Sequence, residues 1–315
     1  MTAERGVPSS NSDISRDCSI RIFFRCHLPN SQPQRSKSTV TIIQATLLGL
    51  IQGLTEFLPI SSTAHLILVP WLFNMQVDES ARFAFDVLVQ LGTLVAVVVY
   101  FVKDLWQIAQ AMWVGIRVGD PFGTEAARLG WLVIAATIPA AIIGVLLKDF
   151  FESLHQSPAI IAQILIFAAV LFAAEHFSKH ERDLGALTWR DAILIGCTQA
   201  LALLPGISRS AATLSGGLLL NLKRPAAAKF SFLMSIPIML GASLLALKDL
   251  IDLPNTRALL PPLAIGFVVA AVVGFGSIHW LLGYLAKRSM DIFAWYRIGF
   301  GLLCLVVVYL RSSQP

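Results

Sequence analysis

The residues of this sequence best suited to chemistry sit in two short strings, QGLTEFLPISSTAH over positions 52–65 and LLPGISRSAAT over positions 203–213. Gln52 and Glu56 are four apart, so on a helix they share a face. A carboxylate in so apolar a segment costs roughly 3 kcal/mol or more if the segment enters a membrane, and it normally faces a partner or a water-filled site. Glu56 can hold a divalent cation, with Gln52 as a neutral oxygen ligand beside it, or act as a general base; the plainer alternative is a Glu that caps or snorkels at a helix end. Ser61, Ser62 and Thr63 follow Pro59 and precede a short helix that carries His65. N-capping accounts for at least one of these hydroxyls, and a helix start with free N–H groups is also an anion site. His65 can serve as a general acid or as a nucleophile that accepts a phosphoryl group. Arg209 stands between Ser208 and Ser210, with Thr213 one turn later. A guanidinium among hydroxyls at a helix start suits bidentate phosphate binding, or an ion pair with Glu56.

The two strings are copies of one unit. Gly49, Gln52, Leu54, Ile60, Ser61 and Ala64 recur 147 residues later as Gly196, Gln199, Leu201, Ile207, Ser208 and Ala211. The register holds further on, where Asn74, Arg82 and Phe83 fall on Asn221, Lys229 and Phe230. The mismatches divide the polar chemistry: Glu56 and His65 are answered by Leu203 and Ala212, while Arg209 is answered by Ser62.

The elements that hold these residues must be membrane helices. With 56% hydrophobic and 14% charged residues in 315, and a mean hydropathy of +0.72, the chain has too little polar surface for a soluble globule. Six stretches reach the roughly 20 residues that a hydrocarbon core requires: 83–102, 130–148, 158–176, 226–247, 260–285 and 292–310. Four shorter apolar stretches, 41–58, 63–73, 191–204 and 211–220, come in pairs broken at Pro59 and Pro205. Irregular backbone at membrane depth needs protein or water to satisfy it, so each pair reads as a re-entrant helical hairpin. The expected fold is an all-α integral membrane protein of six transmembrane helices and two re-entrant hairpins. Each repeat, about 41–176 and 188–311, then holds one hairpin and three spans; three being odd, the second copy is inverted, and the hairpin tips meet near the midplane.

Lys103, Arg117, Arg128, Lys179, Arg182, Arg190, Lys223, Arg224, Lys287 and Arg288 gather on one side of this topology, which is therefore the expected cytoplasmic side. Residues 1–39 are polar, rich in Ser and Arg and without periodicity; they read as a disordered extension, or as sequence upstream of a start near Val40. Much of the net charge of +5 lies there, and no nucleic-acid partner is expected. Cys18, Cys26, Cys197 and Cys304 show neither metal spacing nor a disulfide framework. Asp86 and Gln90 share a face of the first span, with Asp86 a candidate supporting partner; Arg297 reads as a helix-packing or headgroup contact, and Gly266, Gly274, Gly276 and Gly283 as close-packing positions.

At QGLTEFLPISSTAH, FDVLVQLGTLVAVVVYF and LLPGISRSAATLSGG the chain resembles the undecaprenyl-diphosphate phosphatase family of the bacitracin-resistance type, over nearly all of residues 40–311. The resemblance implies a hydrolase of the bacterial plasma (inner) membrane that removes the terminal phosphate of undecaprenyl diphosphate. The product is the monophosphate carrier lipid of peptidoglycan synthesis. It also implies dependence on a divalent cation, Mg2+ or Ca2+, and a site open to the periplasmic side. The family's (E/Q)xxxE motif falls on Gln52 and Glu56, its Ser and His on Ser62 and His65, and the Arg of its PGxSRS motif on Arg209. Gln52 takes the neutral option, and Ala64 and Ala211 stand where the family pattern has Gly. The expected catalytic set is thus Glu56, His65, Ser62 and Arg209, with Gln52, Ser61, Thr63, Ser208, Ser210 and Thr213 binding substrate and Glu56 with Gln52 holding the cation. Attack comes from His65 or Ser62, or from water activated by Glu56. The expected partner is a polyprenyl diphosphate lipid, and a homodimer is an open assembly. The alternative from another class is an inverted-repeat transporter or polyprenyl-phosphate flippase.

Overall fold

The computed structural model describes residues 40–75, 79–147, 150, 159–251 and 256–312, so the expected extension over 1–39 lies outside it. Eleven α-helices occur among the described residues: α1 Ile42–Thr55, α2 Ser62–Leu72, α3 Glu79–Tyr100, α4 Val102–Val118, α5 Glu125–Leu146, α6 Ala159–Phe177, α7 Trp189–Leu201, α8 Arg209–Leu219, α9 Arg224–Ile251, α10 Thr256–Leu285 and α11 Asp291–Ser312. Six of them, α3, α5, α6, α9, α10 and α11, are long and apolar enough to cross a membrane. The second begins at Glu125, ahead of its apolar run, because Thr124 caps it by accepting the Ala127 N–H and Glu125 suits the positive end of the helix dipole.

The hairpin arms are short. With 14, 11, 13 and 11 residues, α1, α2, α7 and α8 extend about 16–21 Å at 1.5 Å per residue, well under the roughly 30 Å of a hydrocarbon core. The duplication is written into their backbones. Thr41 and Thr188, at equivalent positions, each open a first arm with a capping box, closed by Gln44 and Asp191. Ser61 and Ser208, the N-caps of the second arms, both sit at positive φ, 77° and 78°, and Asn74 and Asn221, which follow those arms, repeat the feature at 50° and 62°.

Packing is exchanged between the repeats. α1 and α3 pack on α10, while α7 and α9 pack on α5, so the first arm of each hairpin lies against the second span of the other repeat. Gly49 and Gly196 permit this: a Cβ on Gly49 would stand 2.7 Å from the Gly266 carbonyl oxygen, and one on Gly196 2.4 Å from that of Ala136.

One helix departs from the sequence reading. The segment carrying Lys103 and Arg117, expected to be a connecting loop, is α4. It starts after Phe101 and ends on Gly119 in the left-handed region (φ 78°). It packs along α5 and is tied to α9 by a 2.5 Å ion pair from Lys229 to Asp104. At 17 residues, and carrying Lys103, Asp104 and Arg117, it is too short and too charged to count as a span, so the number of spans stands.

Candidate active site

The two hairpin tips meet. α1 ends on Glu56, a tight turn follows through Ile60, and Ser61 at positive φ starts α2, its Oγ accepting the Ala64 N–H at 3.4 Å. Ser208 does the same for α8 through the Ala211 N–H at 3.3 Å. Across the junction the Ser210 hydroxyl donates to the Leu58 carbonyl at 2.9 Å. Arg297 of α11, fully buried, fastens both turns from behind, donating to the carbonyls of Gly206 (2.9 Å), Pro59 (3.4 Å) and Ile164 (3.2 Å). Its guanidinium fills the role of a packing contact, with three carbonyls in place of an anion.

Glu56 is the hub. Its Oε2 accepts the Ser62 hydroxyl at 2.6 Å and the Gln52 Nε2 at 3.0 Å, and its Oε1 accepts the Arg209 guanidinium at 2.8 Å. The side chains of Glu56 and Arg209 are 8% and 18% exposed, so the pair is poorly screened. Gln52 gives its remaining amide hydrogen to Thr93 at 3.4 Å, while its Oε1, buried, has no partner among the described residues.

These groups open onto a cavity of about 740 Å³. Its polar lining comprises Gln52, Glu56, Ser61, Ser62 and Thr63 from the first hairpin, Arg82, Asp86 and Gln90 from α3, and Ser208 and Arg209 from the second hairpin. Apolar lining comes from both repeats: Leu66, Ile67 and Phe83 from α2 and α3, and Ala202, Leu203, Ile238, Met239 and Ala242 from the turn after α7 and from α9. Arg82 and Asp86 lie 4.0 Å apart, one turn from each other.

Three of the expected site residues do not line this cavity. His65 is 4% exposed and held from every side. Its Nδ1 lies 2.7 Å from the Ser61 carbonyl, which can only accept, so Nδ1 carries the proton and Nε2 accepts the Tyr296 hydroxyl at 2.7 Å. The ring stacks on Phe300 at 4.3 Å and 8°. Ser210 is engaged with Leu58 and Ser208, and Thr213 with the Arg209 carbonyl (2.9 Å) and the Ser231 hydroxyl (2.5 Å). Conversely, Arg82 and Gln199 line the cavity although sequence reasoning gave them no role; their signals were the four-residue spacing to Asp86 and the repeat equivalence with Gln52.

Among the described residues no cluster of three His, Cys, Asp or Glu is arranged for a metal. The Gln52 amide turns its nitrogen to Glu56, while its Oε1 has no partner among the described residues; with the carboxylates of Glu56 and Asp86 and the Gln90 amide lining the same cavity, oxygen donors of the kind that hard divalent cations take are present, with water to complete a shell.

Six apolar spans and a charged site assembled from two repeats define a multi-pass membrane protein with a chamber of mixed polar and apolar lining inside its helical body. A family model described as bacitracin resistance protein BacA matches residues 45–303, and the chain belongs to that family. It is 43% identical over 277 residues to an undecaprenyl-diphosphatase of Myxococcus xanthus, covering 88% of this chain and 92% of that one. An undecaprenyl-diphosphatase of Corynebacterium glutamicum is 44% identical over 275 residues (87% and 92% covered), and one of Chlorobium phaeobacteroides is 43% identical over 271 residues (83% and 95% covered).

Proposed function

We propose that this protein hydrolyses undecaprenyl diphosphate to undecaprenyl phosphate and inorganic phosphate at the junction of its two hairpins. The observation that carries the reading is the contact of Ser62, Glu56 and Arg209 at one cavity: a hydroxyl 2.6 Å from a carboxylate that is itself 2.8 Å from a guanidinium. A nucleophile within hydrogen-bond reach of a base, beside a cation for the developing charge, is the minimum that phosphoryl transfer asks of a protein. The names of the relatives support the same substrate.

The terminal phosphate sits against Arg209 and the start of α2, where Ser61, Ser62 and Thr63 present hydroxyls and N–H groups. Ser62 Oγ attacks the terminal phosphorus and gives its proton to Glu56; the bond to the bridging oxygen breaks, and the departing lipid monophosphate takes that proton, leaving Glu56 ionised. Water, deprotonated by Glu56, then releases inorganic phosphate from Ser62. Arg209 neutralises charge on the transferred group throughout, and the apolar lining takes the start of the prenyl chain. Ser208 and Gln52 complete the polar lining. His65, Ser210 and Thr213 act behind it, fixing the strained Ser61 turn and the tip of α8. Glu56, with the free Gln52 Oε1, would hold a divalent cation, Mg2+ or Ca2+, which supplies further charge neutralisation on the phosphates when bound.

The shortness of the hairpin arms supports their being re-entrant. The Lys- and Arg-rich loops support a cytoplasmic side opposite the site, which then opens to the periplasmic face of the bacterial plasma membrane. The test is phosphate release from a polyprenyl diphosphate in detergent with Mg2+ or Ca2+. Wild-type protein releases phosphate, and Ser62→Ala reduces the rate by about 10²-fold or more. No release by wild type overturns the phosphatase reading, and a fully active Ser62→Ala variant removes Ser62 as nucleophile.

A further inference from the structure

The cavity contains an amide that no described residue satisfies. Gln199, near the end of α7, lines it from the second hairpin and is 3% exposed, yet neither its Oε1 nor its Nε2 has a hydrogen-bond partner among the described residues. A buried amide left wholly unpaired is destabilising, and such groups in a folded protein call for a partner.

Its repeat counterpart Gln52 shows how unusual this is. Gln52 gives its Nε2 hydrogens to Glu56 and Thr93. At the equivalent positions the second repeat has Leu203 and Leu240, so both partners of the amide have become leucine while the amide itself is present. The surroundings differ accordingly. Gln52 stands among polar partners, whereas the turn after α7 and α9 bring Ala202, Leu203, Ile238, Met239 and Ala242 to the cavity. Diphosphate oxygens are acceptors, and the free Nε2 is a donor. Of the two phosphates, the one esterified to the prenyl chain must lie beside apolar lining, as Gln199 does next to Ala202 and Leu203.

We propose that Gln199 is a substrate-binding residue that donates from Nε2 to the lipid-linked phosphate, while the first hairpin together with Arg209 holds the terminal one. This rests on the phosphatase reading above. Gln52, Glu56 and Arg209 address the phosphate that leaves; Gln199 addresses the one that stays with the lipid.

Gln199→Leu removes both unpaired polar atoms at nearly constant volume, and farnesyl diphosphate serves as substrate in detergent. The KM is expected to rise about tenfold, the worth of one hydrogen bond to a charged group. Inhibition by farnesyl monophosphate weakens by about the same factor, inhibition by inorganic phosphate is unchanged, and the unfolding temperature of the substrate-free protein stays level or rises because two orphaned polar atoms are gone. An unchanged KM with unchanged monophosphate inhibition overturns the proposal, as does a lowered unfolding temperature with wild-type kinetics, the mark of a structural amide. Weakened inhibition by inorganic phosphate in place of the monophosphate overturns the assignment to the lipid-linked group. If Gln199→Leu does not accumulate in the membrane, Gln199→Glu is measured instead: it keeps the shape and repels phosphate, and a wild-type KM there overturns the proposal. A wild-type protein that releases no phosphate in this assay sinks the phosphatase reading itself, a result visible before any variant is compared.

Discussion

A double-mutant cycle on Glu56 and Arg209 separates the two roles of their ion pair. Glu56→Gln keeps the shape of the side chain but removes its charge, leaving an Arg209 guanidinium that is 18% exposed and faces a neutral amide. Breaking a buried pair from one side costs about 3–5 kcal/mol, and the opening of this pair to the cavity places the expected loss near 3 kcal/mol. Arg209→Gln costs less, about 2 kcal/mol, because the carboxylate keeps the Ser62 and Gln52 donors, and hydrogen bonds to a charged group are worth about 1.5–3 kcal/mol each. The double variant leaves no unpaired charge, so its loss falls short of the sum by about 1.5–3 kcal/mol. In phosphate release each single substitution lowers kcat by about 10²–10³-fold, the usual effect of removing one preorganised charge or donor. The double variant is no slower than the slower single, since the groups act as a unit. Unfolding in detergent gives the stability terms and released phosphate the rates. Stability losses that add to within about 0.5 kcal/mol, together with a wild-type rate for Arg209→Gln, would refute the reasoning.

Three further outcomes follow from the geometry. Alanine at Gly196 drives a methyl into the Ala136 carbonyl, 2.4 Å from where Cβ would stand, and should destabilise the protein by about 1–3 kcal/mol; alanine at the open Gly241, inside α9, should be neutral or stabilising by up to about 1 kcal/mol through its better helix propensity, and equal melting temperatures for the two variants would sink the close-packing account. At the start of α7, burial works against the charge of Asp191, but hydrogen bonds from Arg182 (2.5 Å) and Thr188 outweigh it and hold the carboxyl below the usual carboxylate range. A depressed folded-state value gives stability that is complete above the unfolded value, about pH 4, and is lost as pH falls through the folded value. The stability difference between wild type and Asp191→Asn should therefore persist from neutral pH to about pH 4 and shrink below it; a difference that vanishes near neutrality contradicts this. Because both ring nitrogens of His65 are engaged outside the cavity, rapid quenching during turnover should trap acid-stable phosphate on Ser62 and none on His65; an alkali-stable phosphohistidine at residue 65 would show that the ring turns into the site.

Much of this was legible in the sequence because duplication and apolarity are local signals. Pro59 and Pro205 marked the hairpin turns, the repeat register aligned Ser61 with Ser208, and the apolar runs located the six spans. What escaped was carried by contacts between distant segments or by mixed composition. α4 is an amphipathic helix separated from α3 by Phe101 alone; Leu105, Ile108 and Met112 recur at helical spacing, but the segment lacks the long unbroken apolar run that marks the spans. The seclusion of His65 depends on Tyr296, 231 positions away, and on Phe300 stacked against the ring; no spacing rule predicts that clamp. Arg297 was recognisable as a buried arginine, but only the meeting of Pro59, Gly206 and Ile164 explains why its charge is tolerated there. Gln199 was visible as the echo of Gln52, while its lack of partners required the three-dimensional neighbourhood.

The most direct test of a site shared by two repeats is a structure of the protein with a prenyl diphosphate bound. Phosphate oxygens in contact with both Ser62 and Arg209, one hairpin each, with the prenyl chain leaving along Met239 and Ala242, are the expected result. A diphosphate bound by one hairpin alone, or seated away from the Glu56 junction, would contradict it.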